Sequence, residues 1–153
     1  MLIRRDRAMV AVTIMLDVAF HAGRTATVSA ADIAERIGLA RRGMEPLLQQ
    51  LSRAGLLESV RGPRGGYRLG RPRRDILASE VVSVAVAGDP ADGLTAAEGP
   101  GGRLQEVVVE GLWRELDEQA TARLAGLTLD DLLRRATAAG LRRPAAEPIS
   151  FAI

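Results

Sequence analysis

The chain has 153 residues, of which 47 % are hydrophobic and only 3 % are aromatic. This composition predicts a folded protein with one core, or a small domain with a helical extension, and it excludes a disordered chain. The absence of cysteine excludes disulfides, cysteine-ligated zinc and cysteine-ligated iron–sulfur clusters, and it fits a reducing cytoplasm, where we expect the protein.

The two halves of the chain carry opposite charge. All 21 basic residues are arginine. Residues 1–74 have 14 arginines and 6 acids, a balance of +8, whereas residues 75–153 have 7 arginines and 13 acids, a balance of −6. This asymmetry indicates that only the first half meets a polyanion.

The first predicted element is a helix over about residues 5–22, apolar on nearly all sides and ended by Gly23. Arginines followed by an apolar run also begin signal peptides, but Thr13 and Asp17 interrupt this run. The run is too short to span a membrane, so we interpret it as a core helix and expect no membrane partner.

Two short helices follow at the spacing of a helix-turn-helix. Ser29 predicts the N-cap of the first, and Gly38 its end. The second is predicted from Met44, Leu47, Leu48 and Leu51, which recur at helical spacing. Pro46 is best tolerated in a first turn, which predicts that this helix begins near Arg42 or Gly43.

A β-hairpin is predicted directly after the helix pair. Residues 56–61 and 67–69 have strand composition, and residues 62–66 form a glycine- and proline-rich turn. A hairpin in this place is a wing, and it contains Arg61, Arg64 and Arg68. The fold class is therefore mainly α with a small β-hairpin, a winged helix-turn-helix with a long helix for dimerisation.

The second half predicts a helix over 76–87, an irregular loop over 88–103, a long helix over 104–124 and a last helix over 129–139. The domains are then 1–75 for DNA binding, 76–140 for linker, loop and dimerisation, and 141–153 as a tail.

We expect the long helix to pack on a second subunit, although it could fold back on its own domain. The predicted dimerisation residues are Leu104, Val108, Leu112, Leu116 and Leu124.

The sequence from Ser59 to Gly70, an arginine–glycine–proline wing followed by Gly-Gly-Tyr, resembles the Rrf family of bacterial transcriptional regulators. Further similar segments are Ala11–Ala19, Asp32–Arg36, Met44–Leu48, Leu51–Leu57, Leu112–Leu116 and Leu127–Leu129. The resemblance covers about residues 1–135. It implies a homodimeric, sequence-specific regulator on a pseudo-palindromic double-stranded DNA operator. We expect a repressor, although the sequence does not decide between repression and activation.

The resemblance also implies a recognition helix, Arg41–Gln49, in the major groove and Arg61 in the minor groove. Arg41 and Arg42 would reach base edges or phosphates from the helix start. Glu45 would accept a hydrogen bond from cytosine or serve as a salt-bridge or helix-dipole acid, and Gln49 would contact a phosphate. Arg64 and Arg68 complete the predicted DNA-binding residues. Pro46 departs from a hydrogen-bonding residue in some members, so their operators cannot be carried over.

Members of the family that bind an iron–sulfur cluster use three cysteines, which fall here on Thr95, Gly101 and Val107, while a histidine ligand of one member falls on Glu110. We therefore expect no cluster, metal or other cofactor, and the signal stays open.

The sequence leaves two alternatives to a plain DNA regulator and argues against a third. The 88–103 loop could bind a small-molecule effector, or the winged helix could bind a protein, in which case five clustered arginines would not be needed. An enzyme is not predicted: the single histidine, His21, ends an apolar helix and is best interpreted as structural.

Overall fold

The computed structural model describes residues 5–22, 26–87 and 103–143. Gly23, the loop over 88–102 and the tail from residue 144 lie outside the described residues. The described elements are α1 (Arg5–His21), α2 (Ala30–Ile37), α3 (Arg41–Arg53), β1 (Leu57–Val60), β2 (Gly66–Leu69), a 3₁₀ turn (Arg73–Asp75), α4 (Ala78–Ala87), a π-helical stretch (Gln105–Val109), α5 (Glu110–Ala125) and α6 (Leu129–Ala138).

Helix α1 lies at the centre of the core. Ala11, Ile14, Met15 and Val18 are fully buried, and the helix packs against α2, β2, α4 and α6. Its neighbours contribute further fully buried side chains, among them Ile33, Leu48, Leu51, Ile76, Val81 and Leu129. The interpretation of the apolar run as a core helix is confirmed, since burial on most sides needs apolar residues on most sides.

Asp17, the acid that interrupts the apolar run, ties α1 to α2. Arg36 Nε and Nη2 each donate to one oxygen of the Asp17 carboxylate at 2.8 Å, and this hydrogen bond raises the pKa of Arg36. His21 Nδ1 lies 2.9 Å from the Asp17 carbonyl oxygen and 3.3 Å from the carboxylate. The paired geometry satisfies a largely buried carboxylate that would otherwise destabilise the core.

The helix-turn-helix forms as predicted, with one correction at its second helix. Ser29 Oγ accepts a hydrogen bond from the Asp32 N–H, and α2 ends at Gly38. Helix α3 begins at Arg41 rather than near Arg42 or Gly43, so Pro46 lies inside it. Proline at this place removes only the hydrogen bond to the Arg42 carbonyl, and four buried side chains hold the helix onto the core.

The wing is a two-stranded antiparallel hairpin in which Leu57 pairs with Leu69, Glu58 with Arg68, Ser59 with Tyr67, and Val60 with Gly66. Leu56 and Leu57 are buried beneath it. The hairpin joins the end of α3 closely, because the Gly70 N–H donates to the Leu56 carbonyl at 3.0 Å. The position of the wing relative to α3 is therefore fixed by backbone contacts.

After the wing, the chain returns under α1. The predicted helix over 76–87 starts later than expected, at Ala78, since Ile76 is extended and fully buried and Leu77 forms a β-bridge with Thr128. The Ile76 carbonyl accepts from the Leu129 N–H at 3.0 Å. These contacts join the linker to the start of α6.

The long helix is continuous from residue 103 to 125, but the π-helical stretch Gln105–Val109 interrupts the regular α-helix after residue 104. Helix α6 starts with a capping box, in which Thr128 and Asp131 each bond the other's backbone N–H. The hydrogen bonds from Thr128 lower the pKa of Asp131 to about 2. Among the described helices, none is long and apolar enough to cross a membrane.

Gly70 provides a test of the wing junction. A Cβ at this residue would lie 2.2 Å from the Gly55 carbonyl oxygen, a backbone atom that cannot move away. We expect Gly70→Ala to lower the free energy of unfolding by about 2–3 kcal/mol in urea titrations. The control is Gly126→Ala, whose Cβ would meet nothing closer than 3.7 Å. Equal stability of the two variants would contradict the close packing of this junction.

Candidate nucleic-acid interface

Helix α3 has one buried face and one charged, exposed face. Met44, Leu47, Leu48 and Leu51 are buried against the core. The opposite face carries Arg41, Arg42, Pro46, Gln49 and Arg53, all exposed, and Glu45, which is half-buried. Burial of the apolar stripe therefore directs the predicted DNA-binding residues of this helix to solvent.

The start of α3 is electropositive. Ala40 provides no side-chain cap, and the first turn has no acidic residue, so the backbone N–H groups there keep their partial positive charge. Arg41 and Arg42 add two guanidinium groups at the same end. Together they form a surface that suits phosphate or an electron-rich base edge.

Glu45 pairs with Arg41 one helical turn away. Arg41 Nε lies 3.2 Å from Glu45 Oε1, and both side chains keep about half or more of their surface exposed. An exposed pair of this kind stabilises a helix by only about 0.3–0.5 kcal/mol, so breaking it costs little free energy. Both interpretations of Glu45, as a salt-bridge acid and as a base contact, are therefore compatible with the geometry.

The wing tip exposes two arginines on a tight turn. Arg61 and Arg64 are both exposed, and the Gly65 N–H donates to the Gly62 carbonyl at 2.9 Å to close the turn. A Cβ at Gly65 would lie 2.5 Å from the Val60 carbonyl oxygen, so the turn needs glycine at this residue. The narrow tip suits insertion into a groove.

A strand-like segment before α2 braces the wing. Val28 and Tyr67 exchange two backbone hydrogen bonds of 2.9 and 2.8 Å, and Thr27 Oγ1 donates to the Arg64 carbonyl at 2.7 Å. Sequence reasoning did not identify Thr27 or Val28, because they lie in a connection without periodicity. Val28 thus adds a short β-bridge beside the hairpin, and Thr27 holds the backbone of Arg64.

Arg68 differs from the two tip arginines. It donates from Nε and Nη2 to the two carboxylate oxygens of Glu58 at 3.0 and 2.9 Å, across the hairpin. The hydrogen bonds lower the pKa of Glu58 and raise that of Arg68. The Arg68 guanidinium is therefore already engaged by Glu58, whereas Arg61 and Arg64 lie exposed at the outer end of the hairpin.

Arg7 is a further residue that the sequence did not single out. Its Nε donates to the Ala85 carbonyl at 2.7 Å and its Nη2 to Gln50 Oε1 at 2.9 Å. Arg7 thus joins α1 and the end of α4 to the recognition helix, beside Gln49. No sequence signal separates it from the other arginines, because its partners are distant in the chain.

A second surface of interest is the apolar ridge, the exposed hydrophobic side chains of the long helix. Leu104 is 79 % exposed, Val108 57 % and Leu112 48 %. The ridge also contains Val107, Val109, Trp113 and Leu116. Leu124, predicted with them, is half-buried within its own chain. A spacing of four residues drifts by roughly 40° per repeat on an α-helix, which explains why Leu124 leaves the ridge.

The described residues do not form a metal site. They contain no cluster of three or more His, Asp or Glu side chains that could hold a metal ion, and the 153 residues include no cysteine. Of the four sequence positions expected from the cluster-binding relatives, Thr95 and Gly101 lie outside the described residues, and Val107 and Glu110 are exposed on the long helix. A cysteine-ligated iron–sulfur cluster does not fit this chain.

This arrangement defines a class, the winged helix-turn-helix transcriptional regulators. The Rrf2 family, described as iron-dependent transcriptional regulators, matches residues 5–135, and the chain belongs to this family. The resemblance inferred from the wing motif is confirmed, as is the mainly helical fold with a hairpin wing. The family and its relatives are transcriptional regulators and not enzymes.

Similar proteins and structures carry the same assignment. The chain is 40 % identical over 124 residues to the HTH-type transcriptional regulator IscR of Xenorhabdus nematophila, covering 81 % of this chain and 74 % of the relative. Its fold is similar to T. potens IscR, with a TM-score of 0.69, 31 % identity and 90 % coverage of each chain. CymR, the global cysteine regulator of B. subtilis, gives a TM-score of 0.62 at 29 % identity, over 84 % of this chain and 94 % of CymR.

Thr27→Val tests the bracing of the wing. The variant keeps the side-chain shape but loses the hydrogen bond to Arg64, so we expect faster amide exchange at Gly65 and a loss of about 0.5–1.5 kcal/mol in unfolding free energy. Thr13→Val serves as the control, since it removes a hydrogen bond to Met9 within α1. Unchanged exchange in the Thr27 variant, measured by NMR, would show that the hydroxyl does not order the wing.

Proposed function

We propose that this protein binds a pseudo-palindromic double-stranded DNA operator as a homodimer and represses transcription. The observation that carries the proposal is the common solvent exposure of Arg41, Arg42, Arg61 and Arg64 on two rigidly joined elements, α3 and the wing. Family membership supports binding to DNA, and the apolar ridge supports assembly with a second subunit.

The recognition helix is proposed to enter the major groove with its N-terminus foremost. Arg41 or Arg42 would pair with guanine O6 and N7, or with a phosphate, because both lie in the first turn of α3. Glu45 would accept from cytosine N4 once it leaves Arg41. Gln49, one turn further, would contact the phosphate backbone.

The wing is proposed to place Arg61 in the adjacent minor groove. Guanidinium groups enter narrow, A·T-rich minor grooves because the negative potential is strongest there. Arg64 would contact a flanking phosphate, and Arg68 would support the hairpin through Glu58 while adding charge near the backbone. The net charge of +8 over residues 1–74 favours this placement.

Dimerisation is proposed to bury the apolar ridge. Single exposed hydrophobic residues are ordinary, but seven on one helical stretch form a surface that water does not favour. A second copy of the same helix covers such a ridge by self-complementary packing. Two winged helices would then bind half-sites about one helical turn apart.

Repression is the expected result where the operator overlaps a promoter. Two half-sites one turn apart, together with the wings beside them, occupy about two turns of DNA. A dimer seated over a promoter excludes other proteins from that stretch.

The experiment is recovery of bound fragments from sheared host DNA, followed by gel-shift titration at several salt concentrations. Affinity that stays flat with salt, or no bound fragment at all, would favour a protein-binding winged helix instead.

Arg61→Ala should weaken binding to the recovered operator by about 5- to 160-fold, the loss expected for one specific arginine contact of about 1–3 kcal/mol. Arg135→Ala is the matched control, since it removes the same charge from an exposed side chain on α6. Equal affinities of the two variants in a gel-shift titration would remove the minor-groove role of Arg61.

A double variant, Val108→Glu with Leu112→Glu, should be monomeric by light scattering at micromolar concentration, because burying two carboxylates in an apolar interface is unfavourable. The wild-type chain should be dimeric under the same conditions. Leu141→Glu, at an equally exposed leucine outside the ridge, should leave the dimer intact. A monomeric wild-type chain would overturn the proposed assembly.

A further inference from the structure

A cleft of about 960 Å³ lies beside the base of the wing, away from its tip. Its walls come from the end of α1, the hairpin residues Glu58 and Arg68, the connection over residues 69–74, the first turn of α6, and Arg143. This volume is at the upper end of the range for sites that hold small molecules. None of the DNA-binding residues predicted on α3 or at the wing tip lines it.

The charge of the lining is strongly unbalanced. Among the described residues, five arginines line the cleft: Arg68, Arg71, Arg73, Arg74 and Arg143. The described part of the lining has two carboxylates, Glu58 and Asp130. Glu58 pairs with Arg68, and Asp130 pairs with Arg73 at 2.6 Å. Both lining carboxylates are therefore already used. Two carboxylates outside the lining pair with lining arginines as well, Glu80 with Arg71 at 2.9 Å and Asp75 with Arg74 at 3.9 Å. Among the described residues, Arg143 has no carboxylate within salt-bridge distance.

Of the other three arginines, Arg71 and Arg143 are held in place without using all their donors, whereas the Arg74 side chain is 80 % exposed. Arg71 donates to Glu80 at 2.9 Å and to the Asp75 carbonyl at 3.2 Å. Arg143 donates to the Ala19 carbonyl at 3.2 Å. Because a guanidinium has five N–H donors, these contacts orient Arg71 and Arg143 and leave donors that can reach an anion.

The cleft also has apolar lining, to which Ala19, Ala22, Leu69 and Pro72 contribute. Arg68 and Arg71 expose about two-fifths of their side chains, 38 % and 39 %. Partial shelter from water strengthens their attraction for an anion relative to that of a fully exposed arginine. A recess with apolar walls and converging guanidinium groups suits a compact organic anion better than an extended phosphate backbone.

We propose that this cleft binds a small organic anion carrying at least two carboxylate or phosphate groups. Arg74 and Arg143 contact one anionic group, and Arg71 with Arg68 contacts another, while the carbon skeleton lies on the apolar wall. The ligand bridges the base of the wing to α6 and to Arg143, which follows it. The site goes beyond the proposed DNA binding and does not depend on it.

The test is calorimetric titration of the full chain, without DNA, at constant ionic strength. Citrate represents the carboxylates, pyrophosphate the phosphates, and acetate is the monovalent comparison. We expect saturable binding of one citrate or one pyrophosphate per chain, and no saturation with acetate. The probe that binds more tightly identifies the anionic group that the site prefers. Failure of both multivalent probes to saturate would overturn the proposal.

A variant pair localises the binding. Arg74→Gln with Arg143→Gln removes two lining charges and should weaken the preferred probe about tenfold or more. The matched control, Arg123→Gln with Arg135→Gln, removes two charges from exposed arginines that do not line the cleft. Equal weakening in both variants would assign the binding to overall charge and overturn the site.

A measurement on the unaltered chain keeps the test independent of how the variants fold. In ¹H–¹⁵N spectra, the preferred probe should shift the amide signals of Ala22, Gly70 and Arg71 most. Shifts concentrated instead at Arg41 and Arg61 would show that the anion occupies the proposed DNA surface, and the cleft proposal would then be wrong. Because DNA is absent from each step, failure here leaves the proposed operator binding untouched.

Discussion

Burial of the apolar stripe of α3 is the constraint on which the proposed interface depends. Met44, Leu47, Leu48 and Leu51 together expose almost nothing. Removing such side chains from water stabilises the fold by about 1.5–3 kcal/mol each, far more than any surface ion pair near them. The orientation of Arg41 and Arg42 is thus set by apolar packing on the other side of the helix and not by their own contacts.

The same core fixes the wing relative to the helix. Leu56 and Leu57 are buried directly after α3, and the Gly70 N–H returns to the Leu56 carbonyl. Val28, from the connection before α2, pairs with Tyr67. Helix, wing and connection therefore form one rigid unit, which is what two arginine groups need if they are to enter neighbouring grooves together.

The electrostatics separate three kinds of arginine. Arg36 satisfies the largely buried Asp17 and serves the fold. Arg61 and Arg64 are exposed at the wing tip, where they suit a nucleic acid. Arg71, Arg73 and Arg74 line a cleft beside the wing base with Arg143. The three kinds have the same side chain, so only their surroundings distinguish structural support from the proposed DNA contact and the proposed anion site.

Much of this architecture was determined by the sequence alone. Helical spacing identified the core helix and the helix pair, the glycine-rich arginine hairpin identified the wing, and the lack of cysteine excluded a thiolate-ligated cluster. These features are local or compositional, which is why they can be read along the chain. Helix α3 starts at Arg41, one residue before the predicted start near Arg42.

The tertiary structure decided what depends on residues distant in the chain. The pairing of Asp17 with Arg36, the bracing of Arg64 by Thr27, and the convergence of Arg71, Arg74 and Arg143 on one cleft have no periodic signal. It also separated Leu124 from the apolar ridge, because a four-residue repeat winds around an α-helix. Sequence patterns report which residues seek burial or solvent, whereas only the packed chain determines which of them meet.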